Sequence, residues 1–282
     1  MLKKSLLLLL TGLSSFVCAK PNIVVSILPE QTFVKKIAKN MADVTVMVQP
    51  GSNPHSYEPK PSQMVALSKA DIYFSIGVEF EDVWLERFRS QNKKLRFVDI
   101  SENIEKISMA GHHHEHEEHH HHDGLDPHTW TSPKNVALMA QNICKTLCEI
   151  DSENSANYRA NFKEFLQEIN GTDAKIKEIL KDVREGTRFM VFHPSWGYFA
   201  KDYGLEEGAI EVEGKNPNPK EIMMIIEEAK EERLKLIFVQ PEFSDKSARV
   251  IAKEAGVNVE KISPLAAEWS KNLIKMATLI AK

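Results

Sequence analysis

One long amphipathic segment constrains the fold of this chain more than any other feature. Between residues 152 and 184, large apolar side chains recur at intervals of three and four among many lysines and glutamates, which is the spacing of one helical face. The recurring residues are Tyr158, Phe162, Phe165, Leu166, Ile169, Ile176, Ile179, Leu180 and Val183. A single helix over 151–185 would be about 50 Å long, longer than one small domain. We therefore expect it to connect two lobes.

Strands and helices alternate on both sides of this helix. Runs rich in β-branched and apolar residues predict strands over 22–27, 44–48, 71–76 and 95–98 before it, and over 189–192, 209–212, 236–240 and 257–262 after it. Helical patterns separate most of these runs, as in chains whose strands pair in parallel. The sequence predicts an α/β fold of two lobes, each a mostly parallel sheet between helices, joined by a single long helix. The lobes are residues 20–150 and 186–282.

The first residues, MLKKSLLLLLTGLSSFVCA, have the pattern of an export signal. Two lysines precede an apolar stretch, and Val17 and Ala19 occupy the small-residue positions before a cleavage site. We expect a signal peptide over 1–19, cleavage after Ala19 and export to the periplasm. Cys18 fits the alternative of a lipoprotein signal. No later run of the sequence is apolar over the eighteen or so residues that a membrane helix needs, so the mature chain is not expected to span a membrane.

The charge of the chain limits its partners. The formal net charge is −4, and the sequence contains no basic patch with interleaved aromatic residues. This composition argues against nucleic acid as a partner. We expect a monomer.

A histidine-rich run, GHHHEHEEHHHHDG, occupies residues 111–124. Eight of the chain's eleven histidines lie in it: His112, His113, His114, His116, His119, His120, His121 and His122. Buried imidazoles would each need a hydrogen-bond partner, so we expect a solvated loop in the first lobe. Neutral imidazole binds zinc, copper and nickel, and the composition predicts a loose collector of metal ions. A polar linker and an affinity tag are the alternatives, but an internal run interrupted by glutamates is unlike a tag.

The other three histidines lie in turns beside prolines. His55, His128 and His193 stand in NPHSYEP, DPHTW and FHPSW. Two of these turns follow predicted strands, at the edge where an open α/β sheet places its ligand site. Three imidazoles converging from two lobes would form a zinc site whose fourth position is left to water or another side chain. Each histidine alone fits a surface or capping role, so the residues by themselves leave both interpretations open.

Five motifs give the chain a resemblance to a known family. They are NPHSYEPKPSQ, DPHTWTSP, FHPSWGYFAKDYGL, IEVEGKNPNPKE and VQPEFSDKSA, in this order along nearly the whole mature chain. The chain resembles the metal-binding subunits of zinc and manganese ABC importers, and among them the ZnuA-type periplasmic zinc-binding proteins. The resemblance implies two α/β lobes joined by one long helix and a metal ion in the cleft between them. It also implies delivery of that ion to a membrane permease driven by an ATPase.

The resemblance also implies the ligands. His55 matches the first-lobe histidine of the motif NPHxYEP, and His128 matches the histidine of DPHxW that follows an acidic, histidine-rich loop. His193 matches the position that is histidine in zinc members and glutamate in typical manganese members. Three imidazoles suit zinc, whereas manganese prefers oxygen. Zn²⁺ is therefore the expected ion.

The fourth ligand departs from the family pattern. Many relatives have an aspartate in the last strand-to-helix turn, where this sequence has Ser263. Serine is a poor zinc ligand, so water is the expected fourth partner, with Glu242 and Glu268 as weaker candidates. Asp126 is expected to cap its own turn, or else to orient a histidine as carboxylates often do.

The sequence thus predicts an exported solute-binding protein, not an enzyme, that captures Zn²⁺ in the interlobe cleft for an ABC importer. A manganese-binding protein of the same family is an alternative that His193 disfavours. A zinc hydrolase would need a general base near the metal, and none of His55, His128 and His193 stands in an HExxH pairing. A metal-dependent adhesin carries no sequence signature and stays open.

Overall fold

The computed structural model describes residues 20–109, 124–211 and 215–282. The predicted signal peptide with its cleavage site, and the eight histidines of the histidine-rich run, lie outside the described residues and stay predictions. Among the helices that are described, none has both the length and the apolar character needed to cross a bilayer.

Four short strands form the first sheet: β1 (Asn22–Val25), β2 (Asp43–Val46), β3 (Ile72–Ser75) and β4 (Arg96–Asp99). Helices α1 (Leu28–Ala38), α2 (Pro61–Ser68) and α3 (Glu79–Gln91) connect them. All neighbouring strands are parallel, in the order β2-β1-β3-β4. Nearly every residue of the two central strands is buried, as expected when helices cover both faces of a parallel sheet. Helix α1 contributes Phe33, Val34 and Ile37 to this core, as its spacing predicts.

Two long helices follow the first sheet. Helix α4 (Pro133–Ile150) begins at Ser132, whose hydroxyl oxygen accepts from the backbone N–H of Asn135 at 3.1 Å. Helix α5 (Ser155–Leu180) has 26 residues, a length of about 39 Å. It is shorter than the segment expected from the sequence, because a 3₁₀ turn (Ser152–Asn154) precedes it and a turn follows Leu180. Its apolar face is buried and packs against α1 and α4.

The second sheet repeats the arrangement of the first. Its strands are β5 (Thr187–Val191), β6 (Leu205–Ala209), β7 (Leu236–Val239) and β8 (Asn258–Lys261). Helices α6 (Gly197–Asp202), α7 (Pro219–Glu231), α8 (Lys246–Ala255) and α9 (Trp269–Ile280) accompany them. The order is β6-β5-β7-β8, again all parallel. Because α9 packs on α5, the long helix contacts both lobes, and the predicted fold class is confirmed.

The strand predicted over 209–212 is wrong. The strand at this place is β6, which begins at Leu205 and ends at Ala209. Its sequence, LEEGA, contains two glutamates and a glycine, residue types that are depleted in strands. At this edge of the sheet Glu207 has a specific task, since its carboxylate accepts from the backbone N–H groups of Ser195 and Trp196 at 3.0 and 2.8 Å. The short helix α6 was not predicted either.

A pair of buried tryptophans joins the two lobes. Trp130 of the 3₁₀ turn before α4 donates its indole N–H to the carbonyl of Pro264 at 2.9 Å. Trp269 of α9 donates in return to the carbonyl of Trp130 at 2.7 Å, and its ring meets Phe33 of α1 edge-on, with centroids 5.6 Å apart. Both indoles are buried in the hydrophobic core. Each lobe therefore supplies both an apolar ring and a hydrogen-bond acceptor to the other.

We expect Trp269→Phe to lower the free energy of unfolding by about 1–3 kcal/mol, because the substitution leaves the buried carbonyl of Trp130 without its donor. Urea unfolding followed by circular dichroism measures the change. The matched control is Trp84→Phe, which alters a partly exposed tryptophan on α3. Equal stabilities of the two variants would contradict the role given to this pair.

Candidate metal centre

The three histidines outside the histidine-rich run meet in the cleft between the lobes. Each lies in a connection that leaves the carboxyl end of a strand: His55 after β2, His128 between β4 and α4, and His193 after β5. One ring nitrogen of each lies within 4.8 Å of the corresponding nitrogens of the other two. Among the described residues, this is the group of histidine, cysteine and acidic side chains whose spacing suits a metal ion.

The inward-facing nitrogens are the Nε2 atoms. His55 Nε2 lies 2.9 Å from His193 Nε2. The ring centroid of His128 lies 5.9 Å from that of His55 and 5.3 Å from that of His193. The three rings are inclined to one another by 63–72°, so they surround a common point rather than stack.

A carboxylate holds the outer nitrogen of each ring. Asp126 Oδ1 lies 2.7 Å from Nδ1 of His128, and Glu211 Oε2 lies 2.7 Å from Nδ1 of His193. The third pair joins Glu79 Oε2 to Nδ1 of His55, again at 2.7 Å. A carboxylate accepts hydrogen bonds, so each Nδ1 carries the proton and each Nε2 keeps its lone pair. The three lone pairs are thus directed into the cleft.

Side chains also hold the backbone of the histidines. The amide oxygen of Asn53 accepts from the backbone N–H of His55 at 2.8 Å, a local turn that asparagine favours. Gln240, at the end of β7, accepts from the backbone N–H of His193 at 3.2 Å and donates to its carbonyl at 2.6 Å. Both turns are therefore fixed by side-chain hydrogen bonds.

The second-lobe histidine resists protonation. Burial lowers the pKa of His193 to about 4; the hydrogen bond to Glu211 opposes this shift, and the neighbouring His128 and His55 reinforce it. Burial alone would raise the pKa of Glu79, but the hydrogen bond and charge of His55 outweigh burial and lower it. At neutral pH, His193 is therefore neutral and Glu79 is ionised.

Aromatic rings form two walls of the centre. The ring of Phe243 stacks on His193, with centroids 4.6 Å apart and planes inclined by 21°. Trp130 meets His128 edge-on at 5.2 Å. The side chain of His55 is 21% exposed, compared with 3% for His128 and 7% for His193. Solvent therefore reaches the centre from the side of His55.

The other predicted ligands do not join the three histidines. Ser263 donates to Glu242, and both residues line an interlobe cavity of about 350 Å³. Glu268 pairs with Lys271 at the start of α9, and its side chain is 71% exposed. None of these three oxygens belongs to the described group of converging ligand atoms. Water as the fourth partner stays a prediction.

Two of the three orienting acids were missed in the sequence. Glu211 was hidden because the strand predicted over 209–212 ran through it; with β6 ending at Ala209, it falls in the turn after the strand. Glu79 stands just beyond the carboxyl end of β3, a position that could have indicated a site residue. Asp126 performs both tasks considered for it, since its Oδ1 also accepts from the backbone N–H of His128 at 2.8 Å.

The ends of the histidine-rich run are joined close to the centre. Ser108 and Leu125 form an isolated antiparallel bridge, and the backbone N–H of Asp126 donates to the carbonyl of Ile107 at 2.8 Å. Asp126 is in turn the carboxylate that holds His128. The eight histidines themselves lie outside the described residues.

Comparison with known proteins gives consistent matches. The chain matches the family model of ZnuA, the periplasmic component A of the zinc-uptake complex, over residues 23–281. A crystal structure of ZnuA is 40% identical with a TM-score of 0.86, covering 93% of this chain and 98% of that one. A zinc-bound ZnuA deletion mutant is also 40% identical, with a TM-score of 0.85 and coverage of 93% and 97%.

A further relative matches this chain over only part of its own length. The zinc-binding protein AdcA of Streptococcus pyogenes serotype M3 is 27% identical over 292 aligned residues, which cover 94% of this chain and 56% of AdcA. The chain thus spans about half the length of that relative.

We expect His193 to remain neutral as the pH falls from 7 to 5, because burial lowers its pKa to about 4, well below the ordinary value of about 6.5. A long-range ¹H–¹⁵N NMR titration of the metal-free protein measures this. Since the folded pKa lies below the unfolded one, the stability due to His193 is present above pH about 6.5 and lost as the pH falls toward about 4. The protein in urea is the control, with a midpoint near 6.5; the same midpoint in the folded protein would contradict the prediction.

Proposed function

The chain belongs to the ZnuA family of periplasmic zinc-uptake components, and on that premise we propose that it is an exported solute-binding protein that captures Zn²⁺ and delivers it to the permease of an ABC importer. The observation that carries the proposal is the convergence of three Nε2 atoms, from His55, His128 and His193, in the interlobe cleft.

The division into an N-terminal lobe (20–150), a connecting helix (151–185) and a C-terminal lobe (186–282) belongs to the same proposal. The two four-stranded sheets on either side of α5 support it.

The donor atoms favour zinc over manganese. All three converging atoms are imidazole nitrogens, which suit zinc, whereas manganese prefers oxygen ligands. A set of three nitrogens leaves a fourth tetrahedral position open, which we assign to water. The zinc-bound structure of the ZnuA deletion mutant supports the same choice of ion.

The residues of the centre prepare it for a divalent cation. The carboxylates of Glu79, Asp126 and Glu211 hold the imidazoles in the tautomer that presents Nε2, and such partners raise the basicity of the ligating nitrogen. Their negative charges also offset the charge of the ion. The short Nε2–Nε2 contact between His55 and His193, at 2.9 Å, brings these two nitrogens close enough for one cation to bind both.

A hydrolytic role has less support. Activation of water by zinc would need a free general base beside the open position. The acids nearest the centre are each 2.7 Å from a histidine Nδ1, so each is already engaged. The relatives reported above are metal-binding proteins. We therefore propose binding and transport without catalysis.

Replacing His128 by alanine should weaken zinc binding by more than about 100-fold, because loss of an orienting partner alone costs about 10–100-fold.

His193→Glu should lower the preference for zinc over manganese, since it exchanges a nitrogen donor for an oxygen donor. Competition titrations with a chelator and both metals measure these effects. His114→Ala, which removes one imidazole of the histidine-rich run, is the matched control and should leave the tight site intact.

Two results would contradict this assignment. One is a His128→Ala variant that binds zinc as tightly as the control. The other is an unchanged zinc preference in His193→Glu, which would remove His193 from the ligand set.

Deleting residues 112–122 should lower the number of zinc ions bound while preserving one tight site, because the histidine-rich run must lose conformational entropy to wrap each ion. Toward pH 5 the weakly bound ions should leave first, since ordinary imidazoles protonate near pH 6.5. Isothermal calorimetry on the full-length mature chain and on the deletion variant, at pH 7 and pH 5, measures both effects. Loss of the tight site upon deletion would show that the run supplies a primary ligand.

A further inference from the structure

Two buried carboxylate oxygens, one from each lobe, lie beside the same glycine. Asp126 Oδ2, from the first lobe, and Glu207 Oε2, from β6 of the second, are buried and have no hydrogen-bond partner among the described residues. Both border Gly197: a Cβ at that residue would lie 2.8 Å from Asp126 Oδ2 and 3.5 Å from Glu207 Oε2. Buried polar atoms are seldom left unpaired in native proteins. Two unpaired acceptors beside one glycine would both be satisfied if one of them carried a proton and donated it to the other.

The other oxygen of each carboxyl group is engaged. Asp126 Oδ1 accepts from the backbone N–H and from Nδ1 of His128, at 2.8 and 2.7 Å. Glu207 Oε1 accepts from the backbone N–H groups of Ser195 and Trp196, at 3.0 and 2.8 Å. These donors leave Oε2 as the oxygen of Glu207 that can hold a proton, and Oε2 is the atom beside Asp126.

We propose that Glu207 is a positioning residue of the metal centre, which is protonated in the folded protein and donates a hydrogen bond from Oε2 to Oδ2 of Asp126. The second lobe thereby holds the carboxylate that orients His128. This inference rests on the proposed function, because it concerns a histidine assigned to bind the ion.

The electrostatic environment supports this protonation state. Burial, together with the charge of Asp126, raises the pKa of Glu207 to about 8, although the N–H groups of Trp196 and Ser195 oppose the shift. At neutral pH Glu207 therefore keeps its proton. The Lys106 ammonium is another charged group near Asp126. Its hydrogen bond goes to the hydroxyl of Ser101, at 3.0 Å.

The hydroxyl of Tyr198, also near Asp126, donates to its backbone carbonyl at 2.9 Å. It therefore engages the main chain of Asp126 rather than the unpartnered Oδ2. The side chain of Glu207 is left as the donor that the geometry offers to that oxygen.

Glu207 also links ligands from both lobes. The two N–H groups that it accepts belong to residues 195 and 196, which directly follow the His193-Pro194 turn. Its other oxygen borders Gly197 together with Oδ2 of Asp126, the acid that holds His128. One side chain thus sets the position of His128 relative to His193, which no contact within a single lobe can do.

The test compares Glu207→Gln with Glu207→Leu. Glutamine keeps one acceptor for the two N–H groups and one donor for Asp126, so zinc affinity should stay within about twofold of the wild type. Leucine removes the donor, and affinity should fall by about tenfold, the lower end for a partner that orients a ligand. Glu206→Leu, on the exposed neighbouring position of β6, is the matched control and should bind as the wild type does. Chelator competition on the mature full-length chain measures all three.

A double-mutant cycle separates positioning from general damage. With Asp126→Asn already present, Glu207→Leu should cost less further affinity than it costs in the wild type, because the part that acts through Asp126 is already lost. Only the loss of the acceptor for the N–H groups of Ser195 and Trp196 then remains. Additive losses would overturn the route through Asp126. A Glu207→Leu variant that binds like the wild type, or a Glu207→Gln variant as weak as Glu207→Leu, would overturn the proposal itself.

Two further measurements keep the test decisive. If Glu207→Leu does not fold, Gly197→Ala replaces it: the added Cβ displaces Asp126 Oδ2, from which it would lie 2.8 Å, and should weaken zinc binding while Glu207→Gln does not. The ring ¹⁵N signals of His128 in the metal-free protein should shift in Glu207→Leu and not in Glu207→Gln. These signals are measured without zinc, so they test the role of Glu207 independently of metal binding. If the wild type did not bind zinc, the proposed function would fail and the inference about Glu207 would still be tested. Unchanged His128 signals in Glu207→Leu would overturn the inference.

Discussion

Imidazole nitrogens from two lobes meet within a few ångströms, and this convergence depends on holding the two lobes in a fixed relative position. Helix α5 does part of this, since α1 and α4 pack on it from one lobe and α9 from the other. Trp130 and Trp269 do the rest through reciprocal hydrogen bonds to the opposite lobe. Because a close-packed core deforms little, these contacts favour small adjustments over wide opening. The backbone of Trp130 lies two residues from His128, so the same contact that joins the lobes also supports a histidine of the centre.

Buried acids that touch no histidine also hold the centre in place. The carboxylate of Glu81 accepts from the N–H groups of Ile76 and Gly77 at 3.1 and 2.9 Å. Burial raises its pKa to about 7, against the effect of these hydrogen bonds. The turn that it fixes carries Glu79, whose carboxylate holds His55. Burying an acid has a free-energy cost unless it is well hydrogen-bonded. Here the hydrogen bonds from Ile76 and Gly77 offset part of that cost, and they fix the turn that precedes Glu79.

The sequence could predict the three converging histidines better than the carboxylates that hold them. His55, His128 and His193 were identifiable because each stands beside a proline in a turn, and the α/β alternation placed two of those turns at strand ends. The fold followed from local periodicity for the same reason, apart from β6, whose polar sequence masks an edge strand. Glu79 and Glu211 act on histidines that are distant in the chain. Such pairing depends on how the strands are arranged, which local patterns do not determine.

The bridge between Ser108 and Leu125 gives the histidine-rich run a fixed relation to the centre. Both ends of the run are anchored next to Asp126, so its middle residues are at most about seven residues from an anchor, or about 25 Å of extended chain. Any ion held by the run would therefore stay close to the cleft, at a raised effective concentration. The predicted collector would thus gather ions by the number of its imidazoles. The three described histidines differ in kind, because their ring nitrogens already converge on one point before an ion arrives.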